Sequence, residues 1–412
     1  MEYKVKKRKK YRINYFKMAR TLTIFVLFIC LIVFGIKSII KSNQSEEVVV
    51  SSEVEIADEK NEVIVPKDTT ISFVAIGDIM CHESNFKAAY NSKTKTYDFT
   101  PVFKNVSKYT KNADISIGNL ETTFAGEDRG YSGYPTFNAP EHLAIDLKEL
   151  NMDIMTTANN HCMDKGTKGI ISTLDTLDEI GISHTGTYRN KEEQDTILVK
   201  NVNGIKIAFI SFTYGTNGIS IPEGKDYLVN LIDEDLMLKQ IELAKKQDVD
   251  IICASMHWGV EYAQKQSKEQ EKLADFLFKN GVDLIIGNHA HVIEPMEKRK
   301  ITLDDGTEKD GFVCYALGNF FSAQVKEHTK STIILKLQMT KNGQTGKISI
   351  DDVSYIPVYC YDKGEKADNR YELIDIKSAI KEYENGNTSN ISTKLYDTIK
   401  KELENIEEVL NK

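Results

Sequence analysis

The sequence predicts an α/β body with much parallel sheet, preceded by a basic arm and one apolar N-terminal helix. Three observations predict it. Short apolar, β-branched runs recur from about residue 70, each stopping at Gly, Asn, Asp or His. Amphipathic helical patterns fill the gaps between several of them, and strands alternating with helices build parallel sheet through crossover units. One long apolar run stands apart near the N-terminus, behind a cluster of positive charge.

The N-terminal elements come first. Residues 1–20 are a basic arm ("KVKKRKKYRINYFKMAR") that runs into "TLTIFVLFICLIVFGIKSII". As a helix those 20 residues, Thr21 to Ile40, would span about 30 Å, the thickness of a bilayer core. The expectation is a single-pass transmembrane anchor over 21–41 in the cell membrane, with Lys37 snorkelling to the interface. The positive-inside rule puts the arm in the cytoplasm and the main domain outside. A cleaved signal peptide is the alternative, but "KSIIKSNQSEE" offers no small-residue cleavage site. Residues 42–69, polar and acidic, read as a flexible extracellular linker.

Charge and cysteine narrow the function classes. Residues 1–41 hold 11 Lys/Arg and one acid, so 42 basic and 60 acidic residues remain beyond them. The remainder carries a formal −18 against −8 for the whole chain, which argues against a nucleic-acid partner. Beyond the apolar segment lie Cys81, Cys162, Cys253, Cys314 and Cys360, with no C-x-x-C spacing. Five scattered cysteines make neither a disulfide framework nor a structural zinc site. Walker A, G-x-G-x-x-G and G-x-S-x-G motifs are all missing from the sequence, which removes nucleotide-triphosphate and serine-hydrolase readings.

The body, residues 70–365, is read strand by strand. Its apolar runs are "ISFVAIGD", "ADISIGNLE", "MDIMTTANNH", "IKIAFISFTYG", "VDIICASMHWG", "VDLIIGNHAH" and "FVCYALGNFF". Helical patterns include "PEHLAIDLKEL", "GIISTLDTLDEIG", "DEDLMLKQIELAKKQ" and "SKEQEKLADFLFKNG". "STIILKLQMTKNGQTGKISIDDVSYIPVY" differs: two β-rich runs flank a Gly/Asn turn, as in an antiparallel hairpin. Residues 366–412 are a charged helical segment, read as a solvated helix packed on the body.

The polar strand endings carry the chemistry. Ligands of α/β sheets bind outside the carboxyl ends of the strands, so these termini should converge. In order they offer Asp78, Asn119 and Glu121, Asn159, Asn160 and His161, His257, and finally His289 and His291. Imidazoles, carboxylates and amide oxygens are the donors that divalent metals of the Mn, Fe or Zn kind accept. One or two such ions are the expected cofactor. His82 is an additional ligand candidate or a loop residue, and Asn119 and Asn319 also suit turns with positive φ. Cys81 and Cys162 read as small buried hydrophobes rather than catalytic thiols. Trp258 reads as a pocket wall.

The order of these pieces resembles a known family. "GDIMCH", "IGNLETTF", "TTANNH", "MHWGVEY", "GNHAHVIEPME" and "YALGNFFSAQ" are similar to signature segments of the CapA, or poly-γ-glutamate capsule synthesis, proteins. That family is a branch of the calcineurin-like metallophosphoesterase superfamily. "SFTYGTNG" is similar to the family's middle segment, and the resemblance runs from residue 70 to about 360. It implies a metallophosphoesterase-like αββα sandwich, two mixed β-sheets flanked by helices. By resemblance Asp78 is the leading aspartate, Asn160 and His161 the Asn-His pair, His257 the lone histidine, and His289 and His291 the closing His-x-His. The metal ligands implied are Asp78, Glu121, Asn160, His257, His289 and His291, with His161 as general acid. Three positions depart from the pattern. Met80 stands where the first motif has histidine, Asn119 replaces the bridging aspartate, and Cys162 replaces the carboxylate after His161. A second metal would therefore need the charge of Glu121.

The resemblance implies a role in poly-γ-glutamate synthesis, export or surface attachment, beside the membrane and ligase subunits of a poly-γ-glutamate synthase. A polyanion is repelled by an acidic body, and bound cations would offset this locally. The site then grips polymer carboxylates or hydrolyses a bond in the polymer or its carrier. The alternatives are a surface metal-dependent phosphoesterase acting on a small molecule or wall polymer, and a non-catalytic assembly subunit.

Overall fold

Along the first strand the side chains alternate between two cores. In the computed structural model, which describes residues 66–411 apart from 303–305 and 390, this strand is β1 (Thr69–Ile79). Ile71, Phe73 and Ala75 enter one apolar cluster while Val74 and Ile76 enter another, as a two-residue period requires. β2 (Tyr90–Asn91) and β3 (Thr96–Tyr97) form a small separate hairpin. β4 (Ile115–Leu120), β5 (Ile154–Thr156) and β6 (Ser183–Thr185) then add in parallel beside β1.

A second sheet starts with the antiparallel pair β7 (Leu198–Val202) and β8 (Ile205–Thr213). β9 (Ile251–His257) and β10 (Leu284–Asn288) continue it in parallel. β11 (Met296–Thr302) pairs antiparallel with β12 (Glu308–Cys314), which lies parallel to β10. The chain then returns to the first sheet. β13 (Asn319–Phe321) pairs with the end of β1, and β14 (Ser331–Lys341), β15 (Ile348–Asp362) and β16 (Tyr371–Asp375) extend that sheet antiparallel. The strand orders are β16-β15-β14-β1-β4-β5-β6 and β11-β12-β10-β9-β8-β7.

The two mixed sheets share one inner core. Phe73 of β1 stacks on Phe209 of β8 with ring centroids 6.5 Å apart, and Ile117, Ile154, Ile207, Cys253 and Ile286 fill the layer around them. Each such large side chain contributes roughly 1.5–3 kcal/mol when taken from water. On the far side of the first sheet, Val74, Ile76 and Met155 meet Leu143, Leu147 and Leu177 of helices His142–Glu149 and Gly166–Ile180. On the far side of the second, Ala208, Ile210 and Phe212 meet Met237, Ile241 and Leu277 of helices Glu234–Lys245 and Lys268–Lys279. The layer order is helix, sheet, sheet, helix. Helix starts follow local chemistry: Asp233 caps the first of this last pair, and Ser267 with Gln270 forms a capping box on the second. The last helices, Ile376–Glu384 and Thr393–Leu410, join the inner-core cluster through Ile376, Leu395, Ile399 and Ile406.

The expected membrane anchor is corrected. Among the described residues no helix is long and apolar enough to cross a membrane. The longest, Thr393–Leu410, is amphipathic and carries charged residues along its whole length, so it buries one face on the body. The segment 21–41, the arm 1–20 and the linker as far as residue 65 lie outside the described residues. The single-pass placement in the cell membrane, with cytoplasmic N-terminus and extracellular body, is withdrawn. The expected cysteine chemistry fares differently: Cys81, Cys162, Cys253, Cys314 and Cys360 are all free and buried.

Candidate metal centre

Two glycines let the sheets meet. A Cβ on Gly77, before Asp78, would lie 1.9 Å from the Gly318 carbonyl oxygen; one on Gly287, before Asn288, would lie 1.8 Å from that of Tyr315. Residues 315–318 pass through this gap. Asp78 N–H donates to the Gly318 carbonyl at 3.0 Å and Leu317 N–H to that of Gly287 at 3.2 Å, so one short strip fastens β1 to β10. The carboxyl ends of both sheets are thereby brought together.

At this junction Asp78, Glu121 and His291, all buried, place ligand atoms within 4.8 Å of one another. Glu121 Oε1 is 3.6 Å from His257 Nε2 and 3.9 Å from His291 Nε2. Neither Glu121 oxygen has a hydrogen-bond partner among the described residues, and neither does His289 Nδ1. His289 and His291 both hold left-handed backbone, φ 94° and 59°, which costs a non-glycine residue about 1–3 kcal/mol and clusters at functional sites. That backbone lets His289 N–H donate to Asp78 Oδ2 at 3.2 Å while His291 Nδ1 lies 3.2 Å from the same oxygen. Asn319 Oδ1 also meets His291 Nδ1, at 3.0 Å.

The electrostatics point one way. Burial, then the nearby Asp78, Glu261 and Asp164, push the Glu121 carboxyl well above the ordinary carboxylate range. Burial, then the neighbouring imidazoles, hold His257 well below the ordinary range, and His289 falls to about 4 for the same leading reason. Neutral imidazoles facing carboxylates without a counter-charge form the donor set that a divalent cation completes. A bare buried carboxylate otherwise leaves a large desolvation cost unmatched. The residues present fit the ion.

The other candidates fall into place around this cluster. Asn160 Oδ1 is 2.9 Å from His257 Nε2. Asn119 turns its amide nitrogen inward, donating to Asp78 Oδ1 at 2.7 Å, while its oxygen accepts from Thr156 at 3.3 Å. It therefore braces Asp78 and presents no oxygen to the centre. His82 is not among the clustered ligand atoms: its Nδ1 accepts the Ala323 N–H at 3.3 Å, and its ring stands edge-on to Phe137. Burial lowers its pKa to about 4. Trp258 is a core residue, fully buried and donating to the Tyr315 carbonyl at 2.9 Å. Tyr214, half exposed, takes the wall position with its ring 4.4 Å from that of His289. Cys162 is a buried thiol pushed up to about 12 by burial.

Asp164, Asn217 and Glu261 escaped the sequence reading, the last with a carboxylate oxygen within 4.8 Å of ligand atoms of His289 and His291. His161 Nδ1 lies 2.8 Å from Asp164 Oδ2, a nearly inaccessible carboxylate that also accepts the Phe137 N–H at 2.6 Å. The carboxylate missing at Cys162 is thus supplied two residues later, because the chain turns tightly after Asn159 and brings i+3 back to the imidazole. The H-x-x-D spacing was the available signal. Asn217, in left-handed backbone within "SFTYGTNG", accepts from Asn160 Nδ2 at 3.1 Å and lies 3.4 Å from His161 Nε2.

Residues 72–324 match the family model described as bacterial capsule synthesis protein PGA_cap. The capsule biosynthesis protein CapA of Bacillus anthracis is 30% identical over 300 residues, which cover 69% of this chain and 69% of that protein. The PGA biosynthesis protein CapA of Bacillus subtilis (strain 168) is 27% identical over 294 residues, 69% of this chain and 72% of that one. Among solved structures, the NAD nucleotidase NadN of Haemophilus influenzae aligns with a TM-score of 0.46 at 14% identity. That alignment covers 83% of this chain and 61% of NadN, so the chain spans less than two thirds of NadN's length. With motif order and family match in agreement, the chain belongs to the bacterial capsule synthesis protein family, PGA_cap.

Proposed function

We propose that the chain serves poly-γ-glutamate, or capsule, synthesis, export or attachment, with a divalent-cation centre that acts on the polymer or its carrier. The observation that carries the reading is the bare, buried carboxylate of Glu121 within reach of Asp78 and His291. Asp78, Glu121 and His291 would hold the ion, with His257, His289 and Asn160 beside them. When bound, such an ion supplies a Lewis acid and a fixed positive charge for anionic groups. The chain's own residues supply the rest. Asp164 accepts from His161 Nδ1, which fixes the ring and leaves Nε2 as the atom that hands a proton to a leaving group. Asn217 spans Asn160 and His161, and so couples the ligand side of the site to the acid. The synthase membrane and ligase subunits are the partners this reading calls for.

A second reading, a metal-dependent phosphoesterase, is favoured by one observation. The His161–Asp164 pair restores the carboxylate-backed acid that Cys162 seemed to remove. One experiment addresses both. The metal content of the full chain is measured beside Glu121→Gln, His289→Ala/His291→Ala and Asp164→Asn, with polymer output and phosphatase activity of each. The expected result is loss of metal in the first two. Asp164→Asn should keep its metal and lose activity by about 10²-fold, the scale of general acid catalysis. Polymer loss with no phosphatase change supports the first reading; the reverse supports the second. Equal metal in all four proteins would sink both.

A further inference from the structure

We propose that Lys326, held on the face of Tyr262, is the specificity residue that receives a carboxylate of the substrate beside the cation centre. The proposal rests on the reading of the site given above. Lys326 Nζ lies 3.6 Å from the Tyr262 ring centroid, a close cation–π contact. That ring is 6.0 Å from the His291 ring, so the ammonium is within 9.6 Å of His291.

Both halves of the pair are fastened to the same histidine loop. Tyr262 N–H donates at 2.7 Å to the carbonyl of Ala290, the residue between His289 and His291. Tyr262 holds left-handed backbone, φ 68°, a conformation a bulky residue keeps only when its surroundings enforce it. On the other half, Asn319 Oδ1 meets His291 Nδ1 while Asn319 Nδ2 donates to Gln324 Oε1 and to the Thr329 carbonyl, each at 3.0 Å. Thr329 in turn donates to the Lys326 carbonyl through N–H at 3.2 Å and through Oγ1 at 2.7 Å. A shift of His291 would move the seat of the ammonium with it.

The charge has no other employment. Among the described residues Lys326 makes no ion pair, and its neighbour Glu327 lies instead beside His328 and Lys401. In a chain with 61 acids against 53 basic residues, an ammonium anchored on an aromatic face near a metal-type site is kept free for an anion from outside. A γ-linked glutamate chain carries a free carboxylate on every repeat. One can sit at the cation while the next meets Lys326.

The test uses the full chain as wild type, Lys326→Met, Lys326→Arg and Tyr262→Leu, with metal content measured in each. Binding is measured for a γ-linked glutamate oligomer, its methyl ester and inorganic phosphate. Lys326→Met should weaken oligomer binding about 10-fold with its metal unchanged, Lys326→Arg should recover most of it, and Tyr262→Leu should fall between. The methyl ester should bind the wild type and Lys326→Met alike. Equal oligomer binding by wild type and Lys326→Met overturns the proposal, as does an equal loss for the methyl ester. If the wild type binds metal but no oligomer, the polymer reading fails and phosphate decides Lys326. Weaker phosphate binding by Lys326→Met then upholds it as an anion residue, and unchanged binding rejects it.

Discussion

Glu294 sits three residues past His291 and is fully buried. Gln270 Nε2 donates to its Oε2 at 2.6 Å, while Oε1 has no partner among the described residues. Burial lifts its pKa from an ordinary 4.5 to about 7, against the opposing hydrogen bond from Gln270. The folded chain thus keeps a proton that the unfolded chain releases. Its contribution is present below about 4.5 and is lost as pH rises through about 7, so stability should decline across that window. The size is of order 3 kcal/mol. Glu294→Gln should flatten the decline, and thermal unfolding followed from pH 4 to 8 checks it; an identical slope in the variant refutes the assignment. At this scale the sequence was partly legible. Asp78, Glu121, His257, His289 and His291 stand out as polar residues ending apolar runs. Asp164 does not, since it ends no apolar run and shows only as an H-x-x-D spacing, which the tight turn after Asn159 must close. Asn119 is legible as present but not as oriented, because only its neighbours Asp78 and Thr156 decide which end of the amide faces inward.

Strands meet through what they lack. Gly287, in β10, leaves room for the Tyr315 carbonyl, and Gly287→Ala should cost several kcal/mol because backbone, not a flexible side chain, fills the space. Gly215, with open space around its would-be Cβ, is the matched control, and Gly215→Ala should shift the melting temperature little. Equal melting temperatures for the two variants would show that the strip moves aside. Elements with strong local signals were readable in advance. The amphipathic run "SKEQEKLADFLFKNG" announces the helix Lys268–Lys279, and the Gly/Asn turn announces the β14–β15 hairpin. β13 was not readable as a return to the first sheet, because its partner Asp78 lies more than 200 residues earlier in the chain. Hydropathy over residues 21–40 spoke for a membrane helix, while among the described residues no helix is long and apolar enough to cross a membrane.

For the whole molecule, the two sheets converge: one carries Asp78 and Asn119, the other ends at His257, and each supplies half of the candidate site. The α/β class followed from alternation along the chain, whereas the face-to-face pairing of Phe73 with Phe209 is non-local and needed the structure. The strip at residues 315–318 bears on time as well as space. Amide protons of Asp78 and Leu317 are tied across the two sheets, and that of Ile333 is bonded to the Leu317 carbonyl. They should therefore exchange with deuterium only when the entire body opens. Val260, by contrast, lies on an exposed loop and should exchange early. Adding a chelator should leave the slow set slow, since the strip needs no ion to hold it. Fast exchange at Asp78 and Leu317 after chelation would mean that the metal is the clasp. Slow exchange would mean that the seam closes first and the ion arrives at a finished seat, so its loss idles the protein without unmaking it.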